Sequence, residues 1–120
     1  MTSRREFGLW GENIAANYLK KNGYEIVDRN VYTKYGEIDL VVRQGHCTVF
    51  VEVKTRSSTS FGLPEEAITE QKQVHLLESA QAYLQMHPKL SGDWRIDVIA
   101  VQRFSQDQEP EIVHFENAFT

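Results

Sequence analysis

Two short segments of alternating hydrophobicity stand back to back around a glycine turn, and this pairing constrains the chain more than any other feature. Residues Glu37 to Arg43 alternate Ile38, Leu40 and Val42 against Glu37, Asp39 and Val41. Cys47 to Thr55 alternate Val49, Val51 and Val53 against Phe50, Glu52 and Lys54. Only Gln44-Gly45-His46 separates them, short enough for a tight hairpin. With Gly45-His46 as the loop, and glycine first as a type II′ turn prefers, Gln44 pairs with Cys47. Counting back places Val41 opposite Phe50, Asp39 opposite Glu52 and Glu37 opposite Lys54, all on one face because the side-chain period is two.

Directly paired residues hold their Cβ atoms about 4.5–5.5 Å apart, and like charges there destabilise a sheet. Asp39 facing Glu52 is therefore a local defect, a misread register or a place where a cation belongs. A hard divalent ion such as Mg²⁺ is usually held by one or two carboxylates, with waters and substrate phosphate completing its shell. Lys54 shares the face of Glu52 and brings an ammonium beside such an ion. There it could orient or deprotonate a water, or offset charge building on a phosphate. Its plainer readings are a solvated charge or a partner for Glu37.

Around the hairpin the chain supplies helices and further strands. Ser3 and Glu6 have capping-box spacing, and Phe7, Gly11, Ile14, Ala15 and Tyr18 recur at helical intervals until Asn22-Gly23. On that helix Glu12 falls at the border of the apolar stripe, where an acid can reach a sheet edge. Tyr24 to Val31 has strand composition. Arg56 to Leu63 reads as a serine-, threonine- and glycine-rich loop, followed by a turn or short helix opening at Pro64-Glu65-Glu66-Ala67. A longer helix is predicted from about Thr69 to Met86, burying Leu76, Leu77, Ala80, Tyr83 and Leu84 and ending before Pro88. Trp94 to Val101 and Ile112 to Phe115 are expected strands. This order predicts an α/β fold, a mixed sheet flanked by helices.

The chain has 120 residues, 41% of them hydrophobic, enough for one core, so 1–120 reads as a single domain. No apolar run approaches the ~20 residues of a membrane span, and no apolar stretch follows Met-Thr-Ser-Arg-Arg, so a cytoplasmic protein without membrane association is expected. A single cysteine, Cys47, excludes a disulfide or cysteine-based zinc site within the chain and reads as a small apolar strand residue. The net charge of −4 argues against holding nucleic acid by bulk positive charge. Any such contact is local, with Arg4, Arg5, Lys20, Lys21, Lys34, Lys54, Arg56 and Lys72 available or simply solvated.

Lys72, at the start of the second long helix, could reach a phosphate or lie in solvent. Arg95 and Asp97 share a strand face and pair with each other or with neighbours. His46, His75, His87 and His114 lack ligand spacing and read as surface or turn residues. Trp10 and Trp94 could stack on bases, with a core or core-edge role the simpler reading.

Gly8 through Glu12, Gly36-Glu37-Ile38-Asp39-Leu40 and Val49-Phe50-Val51-Glu52-Val53-Lys54-Thr55-Arg56 together resemble the YraN-like family of bacterial proteins. The likeness continues through Glu65-Glu66-Ala67, Lys72, Arg95-Ile96-Asp97-Val98 and Glu116-Asn117-Ala118-Phe119, nearly the whole chain. That family is assigned to the PD-(D/E)xK nuclease superfamily and is similar to archaeal Holliday junction resolvases. The resemblance implies a restriction-endonuclease-like, resolvase-like sheet. It implies Asp39 and Glu52 as metal-binding acids, Lys54 as the catalytic lysine and Glu12 as a helix-borne acid. The superfamily's proline is replaced by Ile38. The expectation is an endonuclease using Mg²⁺ or Mn²⁺ to hydrolyse DNA, including branched or recombination-related DNA, with Arg56 and Lys72 on the nucleic acid. Two cuts at a junction would need two sites, which a homodimer would supply. The alternative is a non-catalytic module binding nucleic acid or protein on the same scaffold.

Overall fold

In a computed structural model, which describes residues 3–57 and 68–119, the hairpin lies at the centre of a five-stranded sheet. Helix α1 (Arg4–Lys21) leads into β1 (Glu25–Thr33), β2 (Gly36–Gln44) and β3 (Cys47–Ser57). Helix α2 (Glu70–Met86) crosses to β4 (Asp93–Arg103), and β5 (Glu111–Phe115) closes the order β1-β2-β3-β4-β5. β3 and β4 run parallel and the other neighbours antiparallel. This mixed α/β sheet with a helix against each face is the class expected, and it is consistent with a restriction-endonuclease-like scaffold.

Local chemistry sets the ends of both helices. The Ser3 hydroxyl accepts from the Glu6 amide at 3.1 Å, and Thr69 caps α2 by accepting from Lys72 N at 3.1 Å. Gly45 has φ +61 while His46 does not enter the left-handed region, as the proposed turn requires. β3 continues through Arg56 and Ser57, where a loop was expected. Residues 58–67, and with them the turn or short helix expected at Pro64, lie outside the described residues.

The sheet divides two apolar clusters. Ala15, Ala16 and Leu19 of α1 pack on Leu40, Val42, Val49, Val51, Ile99 and Val101. Leu76, Ala80 and Tyr83 of α2 pack on Ile38, Val41, Phe50 and Ile96. Leu77 turns outward, at 36% exposure, and Ser79 takes the buried place. Trp10 and Trp94 are core-edge residues, Trp10 stacked on Phe7 and Trp94 set edge-on to Phe50. Cys47 is a half-buried free thiol beside the α1-side cluster. α1 sits unusually close to β3 because Gly11 has no side chain: a β-carbon there would overlap Thr55.

Arg95 and Asp97 do pair, with Nε to Oδ1 at 2.9 Å, within a larger network. His114 Nε2 lies 2.7 Å from Asp97 Oδ2 and its Nδ1 lies 3.1 Å from the Tyr18 hydroxyl, while Asn117 N donates to Asp97 Oδ1 at 2.9 Å. His114 is thus a half-buried strand residue, not a surface or turn residue, because β5 folds it onto the only acid that β4 buries completely. Burial alone would raise Asp97, but the bonds from His114, Arg95 and Asn117 outweigh it and hold the carboxyl below its usual range. Asp97→Ala would leave these donors facing an emptied, buried site. The expected cost is about 3 kcal/mol or more, read as a lower urea midpoint with unchanged slope; a midpoint at the wild-type value would show that the network does not hold β5.

Candidate metal and phosphate site

The sheet opens where the acids stand. The β2–β3 ladder runs from Gln44↔Cys47 to Leu40↔Val51 and stops there, so the expected Asp39–Glu52 and Glu37–Lys54 pairs do not form. On the other side, β1–β2 pairing passes from Arg29↔Leu40 to Val31↔Ile38 with no pair between Asn30 and Asp39. Asn30 takes a left-handed conformation, φ 52, which asparagine tolerates better than most residues. Alternation breaks at the same point: Ile38 packs with Val41 on the α2 side instead of with Leu40 and Val42.

Freed from regular pairing, Asp39 turns its Oδ2 onto the β3 backbone and accepts from Val53 N at 2.8 Å. Glu52, next along β3, is 6% exposed. Lys54 Nζ lies 3.9 Å and Lys72 Nζ 3.8 Å from Glu52 Oε1. Both cations lean on one oxygen; Glu52 Oε2 is buried with no hydrogen-bond partner among the described residues. Lys72, from the first turn of α2, therefore belongs to this cluster, and the Thr69 cap that starts the helix also sets its position.

Glu12 arrives from α1, and Asn30 joins it to the sheet. With the amide nitrogen of Asn30 facing the acids, it donates to Glu12 Oε1 at 2.9 Å and to Glu37 Oε1 at 3.1 Å. Glu37 thus joins the acidic group, and Asn30 bridges it; neither role was expected. The sequence held a partial signal for Glu37, an acid two residues before Asp39, but none for the left-handed Asn30. Arg56 follows Lys54 on β3 and none of these contacts involves it.

Crowding shows in the acidities. Burial, then repulsion from Asp39, raises Glu52 to about 7 despite Lys72 and Lys54. Burial also raises Asp39, opposed by the bond from Val53 N, and burial followed by Asp39 and Glu37 raises Glu12. The bond from Val53 N favours the charged form of Asp39, and Glu52 has no such bond on its Oε2 among the described residues.

Among the described residues no three Asp, Glu, His or Cys side chains form a ready metal-binding group. A site here would rest on two protein carboxylates. That suits a hard, partly hydrated cation of the Mg²⁺ type, and the unpartnered Glu52 oxygen is a donor in want of one.

Comparison with known proteins places the chain. Residues 11–101 match the model of the uncharacterised protein family UPF0102. The chain belongs to this family. A UPF0102 protein from Syntrophomonas wolfei is 48% identical over 115 residues, covering 96% of this chain and 98% of its own length. One from Syntrophotalea carbinolica is 46% identical over 116 residues, covering 97% and 93%, and one from Caldicellulosiruptor saccharolyticus 43% over 117 residues, covering 98% and 99%. The matched stretch includes Glu12, Asp39, Glu52, Lys54, Arg56 and Lys72. Among the described residues no helix is long and apolar enough to cross a membrane.

A raised carboxyl has a stability signature. Between the ordinary value of 4.5 and about 7, the folded protein holds a proton on Glu52 that the unfolded chain has released. Stability is then greatest below the lower value and falls as pH rises through the upper one. Metal-free protein should melt several degrees higher at pH 5 than at pH 8, given roughly 2–8 °C per kcal/mol for domains near this size. Glu52→Gln should flatten that slope. Equal slopes by calorimetry in wild type and variant would remove Glu52 as the source.

Proposed function

We propose that this UPF0102 protein is a divalent-metal-dependent endonuclease that hydrolyses DNA phosphodiesters, with branched and recombination-related molecules the first substrates to test. The observation that carries the reading is the buried Glu52 carboxylate, crowded by Asp39 and left with one oxygen unpartnered. Asp39 and Glu52 would hold Mg²⁺ or Mn²⁺, which when bound supplies an activated water for attack at phosphorus. Val53 N–H keeps Asp39 aimed and favours its charged form. Lys54 and Lys72, on the same Glu52 oxygen, present two ammonium groups where a phosphate would gain negative charge. Glu12, held by Asn30, is placed to accept a hydrogen bond from water at the edge of the cluster. Arg56 extends the basic face along β3. Two copies would be needed to cut both strands of a junction together.

The net charge of −4 favours the other reading, a non-catalytic module on this scaffold. One set of measurements separates them. Linear, single-stranded, flapped and four-way DNA incubated with Mg²⁺ or Mn²⁺ should be cut by wild type. Asp39→Asn, Glu52→Gln and Lys54→Ala should lose roughly 100-fold or more, Lys72→Ala less. Cleavage unchanged in Asp39→Asn and Glu52→Gln would sink the assignment. Melts supply a readout without substrate: millimolar metal should stabilise wild type by about 1.4 kcal/mol at ten times Kd, and both acid variants should lose most of that gain. DNA affinity should also fall steeply with added salt, because only local basic groups oppose the overall charge.

A further inference from the structure

A cavity of about 370 Å³ opens beside the acidic cluster, lined by Arg4, Arg5, Gly8, Leu9, Glu12, Asn30, Tyr32 and Glu37. It shares Glu12, Asn30 and Glu37 with the proposed site and leads away from it to the first turn of α1. Its far end is positive: Arg4 and Arg5 are exposed, and neither has an ion pair or hydrogen bond among the described residues. They stand at the N-terminus of an 18-residue helix, whose dipole adds to their attraction for an anion. Between the two ends Tyr32 leaves β1 with 76% of its surface exposed, the ring unpaired with any other aromatic among the described residues. Gly8 leaves that wall open, and a β-carbon added there would meet nothing within 4 Å.

The geometry points to a subsite for one unpaired nucleotide next to the phosphodiester to be cut, with its base on the Tyr32 ring and its outer phosphate on Arg4 and Arg5. This rests on the endonuclease reading, and it assigns the direction in which the strand leaves the metal site. The occupant follows from the lining. Two free guanidinium groups on a chain of net charge −4 select an anion locally. An exposed aromatic face accepts any base by stacking, without sequence preference. The cavity lies near the lower end of the range for small-ligand pockets, about 300–1,000 Å³, so it takes a single nucleotide and not a paired duplex. Glu12 and Glu37 at the inner end repel phosphate, which keeps the bound phosphate at the arginine end.

The test uses a duplex with a short single-stranded overhang and the same duplex blunt, each assayed for binding without metal and for cleavage with Mg²⁺ or Mn²⁺. Wild type should prefer the overhang. Tyr32→Leu should lower affinity for the overhang about tenfold, within the range for loss of one stacked base, and bind blunt duplex as before. Arg4→Gln with Arg5→Gln should flatten the salt dependence of single-strand binding by about 0.7 in log–log slope, the share of the one phosphate they neutralise. Gly8→Leu separates occlusion from misfolding, because it fills open space and replaces a poor helix former. It should melt no lower than wild type and yet lose the preference for the overhang. Asp39→Asn should lose cleavage and keep that preference. Cleavage by wild type with equal preference in the Tyr32, Gly8 and arginine variants would overturn the subsite and leave the endonuclease reading standing. If wild type neither cuts nor binds any DNA, both fall.

Discussion

Glu52 is the constraint around which the site is arranged. A carboxylate 6% exposed, beside a second, half-buried acid, is unfavourable unless something opposite in charge reaches it. Lys54 and Lys72 do so only partly. Each stands nearly 4 Å from a single oxygen, too far for a strong hydrogen bond, and the other oxygen has none. The protein therefore holds repulsion that a proton relieves, and the divalent ion of the proposed site would compete with that proton for the same atoms. Ion affinity should accordingly rise as pH passes through the region near 7 where Glu52 loses its proton.

The fold maintains this strain by breaking regular strand pairing at Asp39. Both ladders flanking Asp39 are interrupted, and its carboxylate takes the Val53 amide that a β2 carbonyl would otherwise have used. The clusters on either side of the sheet compensate by burying ten side chains with α1 and seven with α2. Gly11 adds the second requirement. By letting α1 lie against Thr55 it brings Glu12 within reach of Asn30, so a helix on one face and a kink in the edge strand β1 serve the same site.

The hairpin was legible because its signals were local and agreed: a period of two, a glycine at a turn that needs positive φ, and an apolar face on each strand. The register held from Gln44↔Cys47 through Leu40↔Val51. It failed at Asp39 because counting assumes that a strand stays regular, and nothing in the order of residues marks Asn30 as left-handed. The same assumption placed Glu37 against Lys54 and Ile38 on the wrong face. α2 was located well, but its buried stripe was misjudged at Leu77, since the facing sheet accepts Ser79, whose hydroxyl lies 2.9 Å from Thr33 Oγ1. Lys72 and His114 show the remaining limit. Each acquires its partner from an element far away in sequence, Glu52 in one case and Asp97 in the other, and periodicity along one element carries no information about such a meeting.

The two buried acids of the sheet, Glu52 and Asp97, show how environment separates structural from reactive carboxylates. Asp97 is the more deeply buried, yet its pKa is held below the ordinary carboxylate range because four N–H donors converge on its two oxygens. Glu52 is slightly less buried and its carboxyl is pushed up to about 7 because burial disfavours its charge, a neighbouring acid repels it and, among the described residues, no N–H or O–H reaches its second oxygen. Replacing Asp97 removes an acceptor that the fold has satisfied; replacing Glu52 by its amide removes a charge that the fold has not. A carboxylate whose neutral form would suit the folded chain better carries a charge that folding does not require, and with two ammonium groups beside it that unmet charge is the physical basis for proposing a metal and a phosphate there.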